Sequence, residues 1–212
     1  MKYDLHVHTY YSKCSNLKPE IILKLAKKNK LDGIAITDHH EIKGALEVKK
    51  LNKNKNFEVI IGEEISTNYG DVLVYYLCEK INEIDFFAVI NEARKQNALI
   101  TIPHPFRTTF INNHKFQLPI KKVKNLVDAV ECFNARTLPF DNKKANKAAD
   151  EFNIAKTGGS DSHFFFEIGT GYTIFDTDLR YAIKKRKTKV DGTIKFGVFG
   201  GTFSYLRKRF LN

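Results

Sequence analysis

Seven histidines are spread along this 212-residue chain, and six of them fall in four short segments. The segments are Asp4-Leu-His-Val-His-Thr9, Thr37-Asp-His-His40, Pro103-His-Pro105 and Ser160-Asp-Ser-His163. The seventh, His114, lies in a polar stretch and reads as a solvent-exposed residue. His6 and His8 are two apart, so on an extended chain both imidazoles project to one face. Asp161 and His163 repeat that spacing. Neutral imidazole and carboxylate oxygen are ligands that Zn²⁺, Mn²⁺ and Fe²⁺ accept readily. A lone histidine reads as an ordinary core or surface residue, but four such segments together read as a divalent metal site. A further carboxylate comes from Ile61-Gly-Glu-Glu-Ile-Ser-Thr67. Glu63 and Glu64 face opposite sides of a strand, so only one can enter the site. The alternation of Val59, Ile61 and Glu63 against Ile60, Gly62 and Glu64 does not choose between them.

Such distant segments need a scaffold that gathers them. Short β-branched runs alternate with amphipathic stretches along the chain. Strands are expected over Tyr3–Val7, Gly33–Thr37, Phe57–Ser66, Val72–Cys78, Ala98–Ile102, Ala129–Phe133, Ile154–Thr157 and Gly171–Phe175. Helices are expected over Pro19–Asn29, Ile42–Leu51, Ile84–Gln96, Ile120–Asn125, Asn142–Phe152 and Asp178–Arg186. Pro19 suits an early helical position, and Asn97 can end its helix in a left-handed conformation. The alternation argues for an α/β fold with a mostly parallel sheet. Each histidine segment directly follows a strand. In a parallel α/β barrel, groups at the C-terminal ends of different strands converge on one pocket. Gly197 to Gly201 is too short for a domain linker, so 1–212 reads as a single domain.

The composition bounds the alternatives. With 42% hydrophobic and 28% charged residues, the chain has the balance of a soluble globular protein. That excludes a disordered tail, a fibre and a membrane-embedded chain. No run approaches the roughly 18 apolar residues of a membrane span. A strand starts at once after Met1, leaving no room for a signal peptide. Cys14, Cys78 and Cys132 are odd in number and widely spaced, which fits free thiols in a cytoplasmic protein. The formal charge of +11 admits nucleic acid or a phosphorylated substrate as a partner. Most lysines, however, lie in helical stretches such as Leu23 to Lys30, and solvated helix faces account for them.

Taken together, these motifs resemble the PHP superfamily, the polymerase and histidinol phosphatase domain. The likeness rests on Asp4-Leu-His-Val-His-Thr9, Ile36-Thr-Asp-His39, Pro103-His-Pro105 and Gly159-Ser-Asp-Ser-His163, in that order. Gly62-Glu-Glu-Ile-Ser-Thr67 is similar to the family's Gly-x-Glu-Ile-Ser segment, which favours Glu64 over Glu63. Val127 to Arg136 and the following helix resemble the associated C-terminal segment, over 127–176. Residues 177–212 then form a basic, aromatic C-terminal helix or tail. The resemblance implies a distorted, seven-stranded (β/α) barrel holding two or three divalent ions of Mn, Zn or Fe. It implies His6, His8, Glu64 and Asp161 around one ion, with Glu64 bridging to a second ion held with His104. His39 and His163 would belong to a third, and Asp38 would orient an imidazole. Two positions depart from the family pattern. Lys13 stands where an acidic residue is common, with Cys14 or Asn16 as the substitutes on hand. Asp71 stands where a histidine is common, and a carboxylate there suits harder metals.

Paired divalent ions acidify a water and offset charge on a phosphoryl group, so no serine or cysteine nucleophile is required. Arg107 and Arg136 are candidate phosphate clamps, because guanidinium matches phosphate oxygens bidentately. Lys13 could also reach a phosphate. His39, Glu64, Asp161 and His163 form the candidate catalytic set, with His39 or His163 available to protonate a leaving group. The expected activity is hydrolysis of a small phosphorylated metabolite or nucleotide, without membrane association and with the oligomeric state open. One alternative is a nuclease or repair phosphoesterase acting on nucleic-acid ends. It draws on Lys184–Lys189 and Arg207–Arg209 with Phe196, Phe199, Phe203 and Tyr205 interleaved. The other alternative is a non-catalytic RNA- or protein-binding module, which expects eroded ligands where this chain keeps them.

Overall fold

The computed structural model describes residues 1–108 and 115–194, together with Ser204 and Arg207. His114, Phe196, Phe199, Phe203, Tyr205, Lys208 and Arg209 lie outside the described residues. The element order begins β1 (Lys2–Val7), α1 (Pro19–Lys28), β2 (Gly33–Ile36), α2 (Lys43–Leu51), β3 (Glu58–Thr67) and β4 (Gly70–Tyr75). It continues α3 (Phe86–Lys95), β5 (Leu99–Ile102), α4 (Ile120–Val123), β6 (Ala129–Asn134), α5 (Pro139–Phe152) and β7 (Ala155–Gly159). β8 (Gly171–Ile174), α6 (Leu179–Lys184) and β9 (Lys189–Gly192) complete it. Local chemistry explains several of these boundaries. Pro19 opens α1, whose last turn carries Lys27 and Lys28 against the negative end of the helix. The Asp85 carboxylate accepts from the backbone N–H of Phe87 and Ala88 and so caps α3. Asn97 and Asn153 adopt the left-handed conformation that stops α3 and α5.

The nine strands of the described residues form one sheet in the order β7-β6-β5-β4-β3-β2-β1-β8-β9. It curls until the segment after β7 meets β1. Val7 and Ser162 form a parallel bridge, and His8 N donates to Ser162 O at 3.0 Å. Asp4 reinforces the seam: its carboxylate accepts from Ser160 N at 2.8 Å and Gly169 N at 2.9 Å. Gly159 permits the close approach, because a Cβ there would stand 2.4 Å from His6 Cβ. The result is a mixed α/β fold with a nearly closed, barrel-like sheet.

Only β4 and β8 run against the other seven strands. The two-residue connection between β3 and β4 leaves room for nothing but a hairpin. Nine strands replace the seven of the family expectation. The extra edge strand β9 also replaces part of the C-terminal helix or tail expected over 177–212. Its sequence, Lys-Val-Asp-Gly, is short and charged, as exposed edge strands tend to be, and so gives little periodic signal.

One cluster draws Tyr3, Leu5, Ala35, Ile60, Leu73, Tyr75, Leu99, Ala129 and Ala155 from seven strands at once, so it fills the barrel. Phe175 and α6, through Leu179 and Ile183, belong to the same cluster and close its floor. The register of β1 on β2 shifts between Asp4 and Val7. Leu5 lies within the barrel cluster, whereas Val7 packs outside with Ile22, Ala26 and Val48 of α1 and α2. An irregularity of this kind re-aims side chains, and here it sends His6 and His8 to the open mouth. Among the described residues, no helix is long and apolar enough to cross a membrane.

Candidate metal centre

Glu64, near the end of β3, is the hub of the barrel mouth. Its Oε2 lies 3.3 Å from both His6 Nε2 and His8 Nε2, and 3.2 Å from His39 Nδ1. Its Oε1 lies 3.2 Å from His104 Nε2. Asp161 faces the same two imidazoles, with Oδ1 3.6 Å from His6 Nε2 and 3.4 Å from His8 Nε2. Glu63 takes the opposite side of the strand, where its Oε2 accepts from Ile81 N at 3.1 Å. Asp71 reaches the mouth from the first turn of pleat in β4 because that strand is reversed. Glu64, Asp71 and His104 each bring a ligand atom within 4.8 Å of the others. His104 and Asp161 both have left-handed backbones, at φ 28° and 55°, which turns the chain sharply as it leaves β5 and β7.

The protonation of these imidazoles follows from their outer partners. Ser12 gives its single hydroxyl proton to Asp38 at 2.6 Å, so His8 Nδ1, 3.3 Å away, must be the donor to Ser12. Asp38 therefore orients His8 through Ser12, and its other bonds fix Thr9. Glu131 holds His6 Nδ1 at 3.0 Å in the same way. Both arrangements leave Nε2 pointing inward. Although His6 Nε2 and His8 Nε2 are buried beside carboxylate oxygens, neither is aligned for a hydrogen bond. Lone pairs that converge without bonding partners, ringed by acids, are the donor set a divalent cation takes. The residues fit the ion.

The electrostatics agree. Burial opposes charge on Glu64, yet His6 and His39 overcome it and hold the carboxyl well below the usual range. Burial likewise opposes charge on Asp161, and Arg107 and His6 overcome it to the same effect. His6 is desolvated, but Asp161, Glu131 and Glu64 raise its pKa well above the ordinary value. The site draws positive charge, whether from a proton or from a metal ion.

The outer edge of the mouth differs. His8, His39 and His163 bring ring nitrogens within 4.8 Å of one another. His163 Nε2 lies 3.1 Å from Cys14 Sγ, and its Nδ1 faces both Asp161 O at 2.8 Å and the Arg136 guanidinium. Burial, then Arg136 and His8, keep His163 well below its ordinary pKa and so neutral. Arg136 is itself enclosed, bonding Ser204 Oγ at 2.7 Å and lying beside Glu167. Arg107 bonds the Asp161 carboxylate, Asn134 Oδ1 at 2.8 Å and Thr137 Oγ1 at 3.1 Å. Lys13 is exposed and, among the described residues, its side chain joins none of these contacts. His40 accepts from Ser66 N at 3.2 Å, which accounts for the second histidine of its segment.

Sequence reasoning missed Glu131 and Glu167. Glu131 also accepts from His104 N at 2.9 Å, so it links two imidazole-bearing segments. Its signal was an acid inside the buried run Ala-Val-Glu-Cys-Phe-Asn of β6. Glu167 accepts from His163 N at 2.8 Å and gave no comparable signal.

Comparison with known proteins bears on this arrangement. The sequence pattern of the PHP domain matches residues 4–168. The chain is 38% identical over 181 residues to the uncharacterized protein MJ0417 of Methanocaldococcus jannaschii, covering 82% of this chain and 70% of that one. It is 38% identical over 148 residues to MJ1587 of the same organism, covering 64% and 82% respectively. Its fold is similar to a two-domain protein from Bacteroides vulgatus containing a predicted PHP-like metal-dependent phosphoesterase. The TM-score there is 0.76 at 19% identity, over 91% of this chain and 65% of that one. It is also similar to PsfC from Pseudomonas syringae, with a TM-score of 0.72 at 18% identity, over 100% and 98% of the two chains. With the signature segments gathered around Glu64 and the pattern matched across most of its length, the chain belongs to the PHP domain family.

Proposed function

We propose that this protein is a metal-dependent phosphoesterase that hydrolyses a small phosphorylated metabolite or nucleotide in the cytoplasm. The observation that carries this reading is the pair of buried, unbonded Nε2 atoms of His6 and His8 facing Glu64 and Asp161. His6, His8, Glu64 and Asp161 would hold one ion, and Glu64, Asp71 and His104 a second. His39 and His163 are the remaining donors, and the Arg136 guanidinium beside His163 works against a third ion there. Bound there, Mn²⁺, Zn²⁺ or Fe²⁺ would acidify a water and draw charge from phosphoryl oxygens.

The chain's own groups supply the rest. Arg107 is fixed through Nε and Nη2, which leaves Nη1 without a hydrogen bond among the described residues and able to donate to a phosphate. The Asn134 and Thr137 contacts set the plane of that guanidinium before substrate arrives. Burial lowers the pKa of the His39 imidazole to about 3 and keeps it neutral beside Glu64, so it would orient the water that protonates the leaving oxygen rather than hand over its own proton. Arg136 positions His163 and, through Glu167, the loop after β7.

The test is a hydrolysis panel of phosphomonoesters and oligonucleotides, run with and without a chelator and repeated with His6→Ala. We expect phosphomonoester cleavage that the chelator and the substitution both abolish. Cleavage confined to oligonucleotides would favour action on nucleic-acid ends, and unchanged activity in His6→Ala would refute the metal assignment.

A further inference from the structure

Besides Arg107 and Arg136 at the barrel mouth, the chain gathers a second group of cations far from the metal-ligand cluster. At the opposite end of the barrel, where β5, β6 and β7 begin, lies a cavity of about 390 Å³. Arg94, Lys124, Arg180, Lys184 and Arg186 line it, with Asp128 as its one carboxylate. β6 is six residues long and separates Asp128 at this end from Asn134 at the metal end by about 20 Å.

The three guanidinium groups are held in place by main-chain carbonyls. Arg94 donates to Leu126 O at 2.9 Å and pairs with Asp128 at 2.7 Å. Arg180 donates from Nη1 to Asn97 O at 2.6 Å and stacks on the Tyr76 ring. Arg186 donates from Nε to Asn153 O at 2.5 Å, leaving both terminal nitrogens free of other bonds among the described residues. Lys124 and Lys184 make no side-chain hydrogen bond or ion pair among the described residues. Part of this charge answers the C-terminal ends of α3, α5 and α6. Each such end is worth about half a negative charge, so three supply roughly −1.5. Adding Asp128 leaves five cations facing about −2.5, and the cavity stays net positive.

We propose that this cavity is a second binding site, for a compact polyanion bearing two or more linked phosphates. Its volume suits a small molecule, at the lower end of the usual range of about 300–1,000 Å³. Guanidinium groups anchored by one edge present the other to phosphate oxygens without further loss of freedom. No aromatic side chain lines the cavity among the described residues, so charge rather than base stacking would carry recognition. The site therefore reads the phosphate chain and tolerates what is attached to it.

Inorganic tripolyphosphate, titrated calorimetrically at low salt without divalent ions, tests the proposal on the unmodified 212-residue chain and on His6→Ala. We expect equal binding to both, with ATP binding to a similar degree. Lys124→Ala/Lys184→Ala removes two side chains that make no hydrogen bond or ion pair among the described residues. We expect it to weaken binding about tenfold or more while phosphomonoester hydrolysis is unchanged. Arg180→Ala, with its fold checked by circular dichroism, should weaken binding as well. Undiminished affinity in the lysine double variant would overturn the site. So would loss of binding in folded His6→Ala, which would place the polyanion at the metal cluster, or binding of ATP but not tripolyphosphate.

Discussion

Both sides of the barrel mouth present histidines, but their surroundings set them to opposite electrostatic ends. On the inner side, Glu64 and Asp161 converge on His6, His8 and His104, and the far nitrogens of His6 and His8 are held by Glu131 and Ser12. On the outer side, His163 meets a thiol and a guanidinium, and His39 opens to solvent. An ion entering the inner side relieves an excess of negative charge. At His163 an ion would compete with Arg136 for the space around a neutral imidazole. Ligand identity alone does not make a metal site: the charge behind the ligands decides which imidazoles are ready for a cation. The inner side is ready for one, and the outer side already holds a guanidinium in that place.

This contrast can be broken at several points. The largest effect belongs to Glu64, the group that the two proposed ions would share. Glu64→Gln should lower kcat/KM for a phosphomonoester by more than about a hundredfold, since losing a ligand should cost more than losing its supporting partner. Steady-state kinetics in excess metal would measure it. Glu131→Gln keeps every ligand but loses the carboxylate behind His6, so metal affinity should fall about 10–100-fold, with activity recovered at high metal. A metal titration would measure that. Arg107→Ala should raise KM about tenfold and leave metal content unchanged, which separates substrate binding from ion binding. Cys14→Ser should change kcat/KM by less than about threefold. A lost ion in that variant would show that the outer side holds metal through its thiol, and the contrast would fail.

The smallest effect is on stability, and it concerns the neighbour of Glu64. Burial raises the Glu63 carboxyl to about 7. The folded state then binds this proton more tightly than the unfolded chain, so stability falls as pH rises from the ordinary carboxyl value to about 7. Glu63→Gln should raise the melting temperature by a few degrees at pH 8 and hardly change it at pH 4. Equal shifts at both values would contradict the assignment.

The same pair shows what sequence could and could not say. A strand's two-residue period places Glu63 and Glu64 on opposite faces without saying which face is the mouth. That choice depends on how β3 sits between β2 and β4. The four histidine segments were legible because each lies at the end of a strand or directly after one, and their spacing needs no partner. Asp71 was legible only by position, since its approach depends on β4 running backwards. Glu131 was hidden because its task is set by a histidine 125 residues away. Lys13 is exposed, and its neighbour Cys14 is the residue whose side chain faces His163. β9 escaped notice because a short charged edge strand has no periodicity to reveal it.

The pairing of two ions through Glu64 is the claim on which the proposed chemistry rests. Equilibrium dialysis against Mn²⁺ of the intact protein and of Glu64→Gln tests it most directly. We expect two ions bound per chain in the intact protein and at most one, weakly held, in the variant. The same number held with the same affinity in both would contradict the bridging role of Glu64.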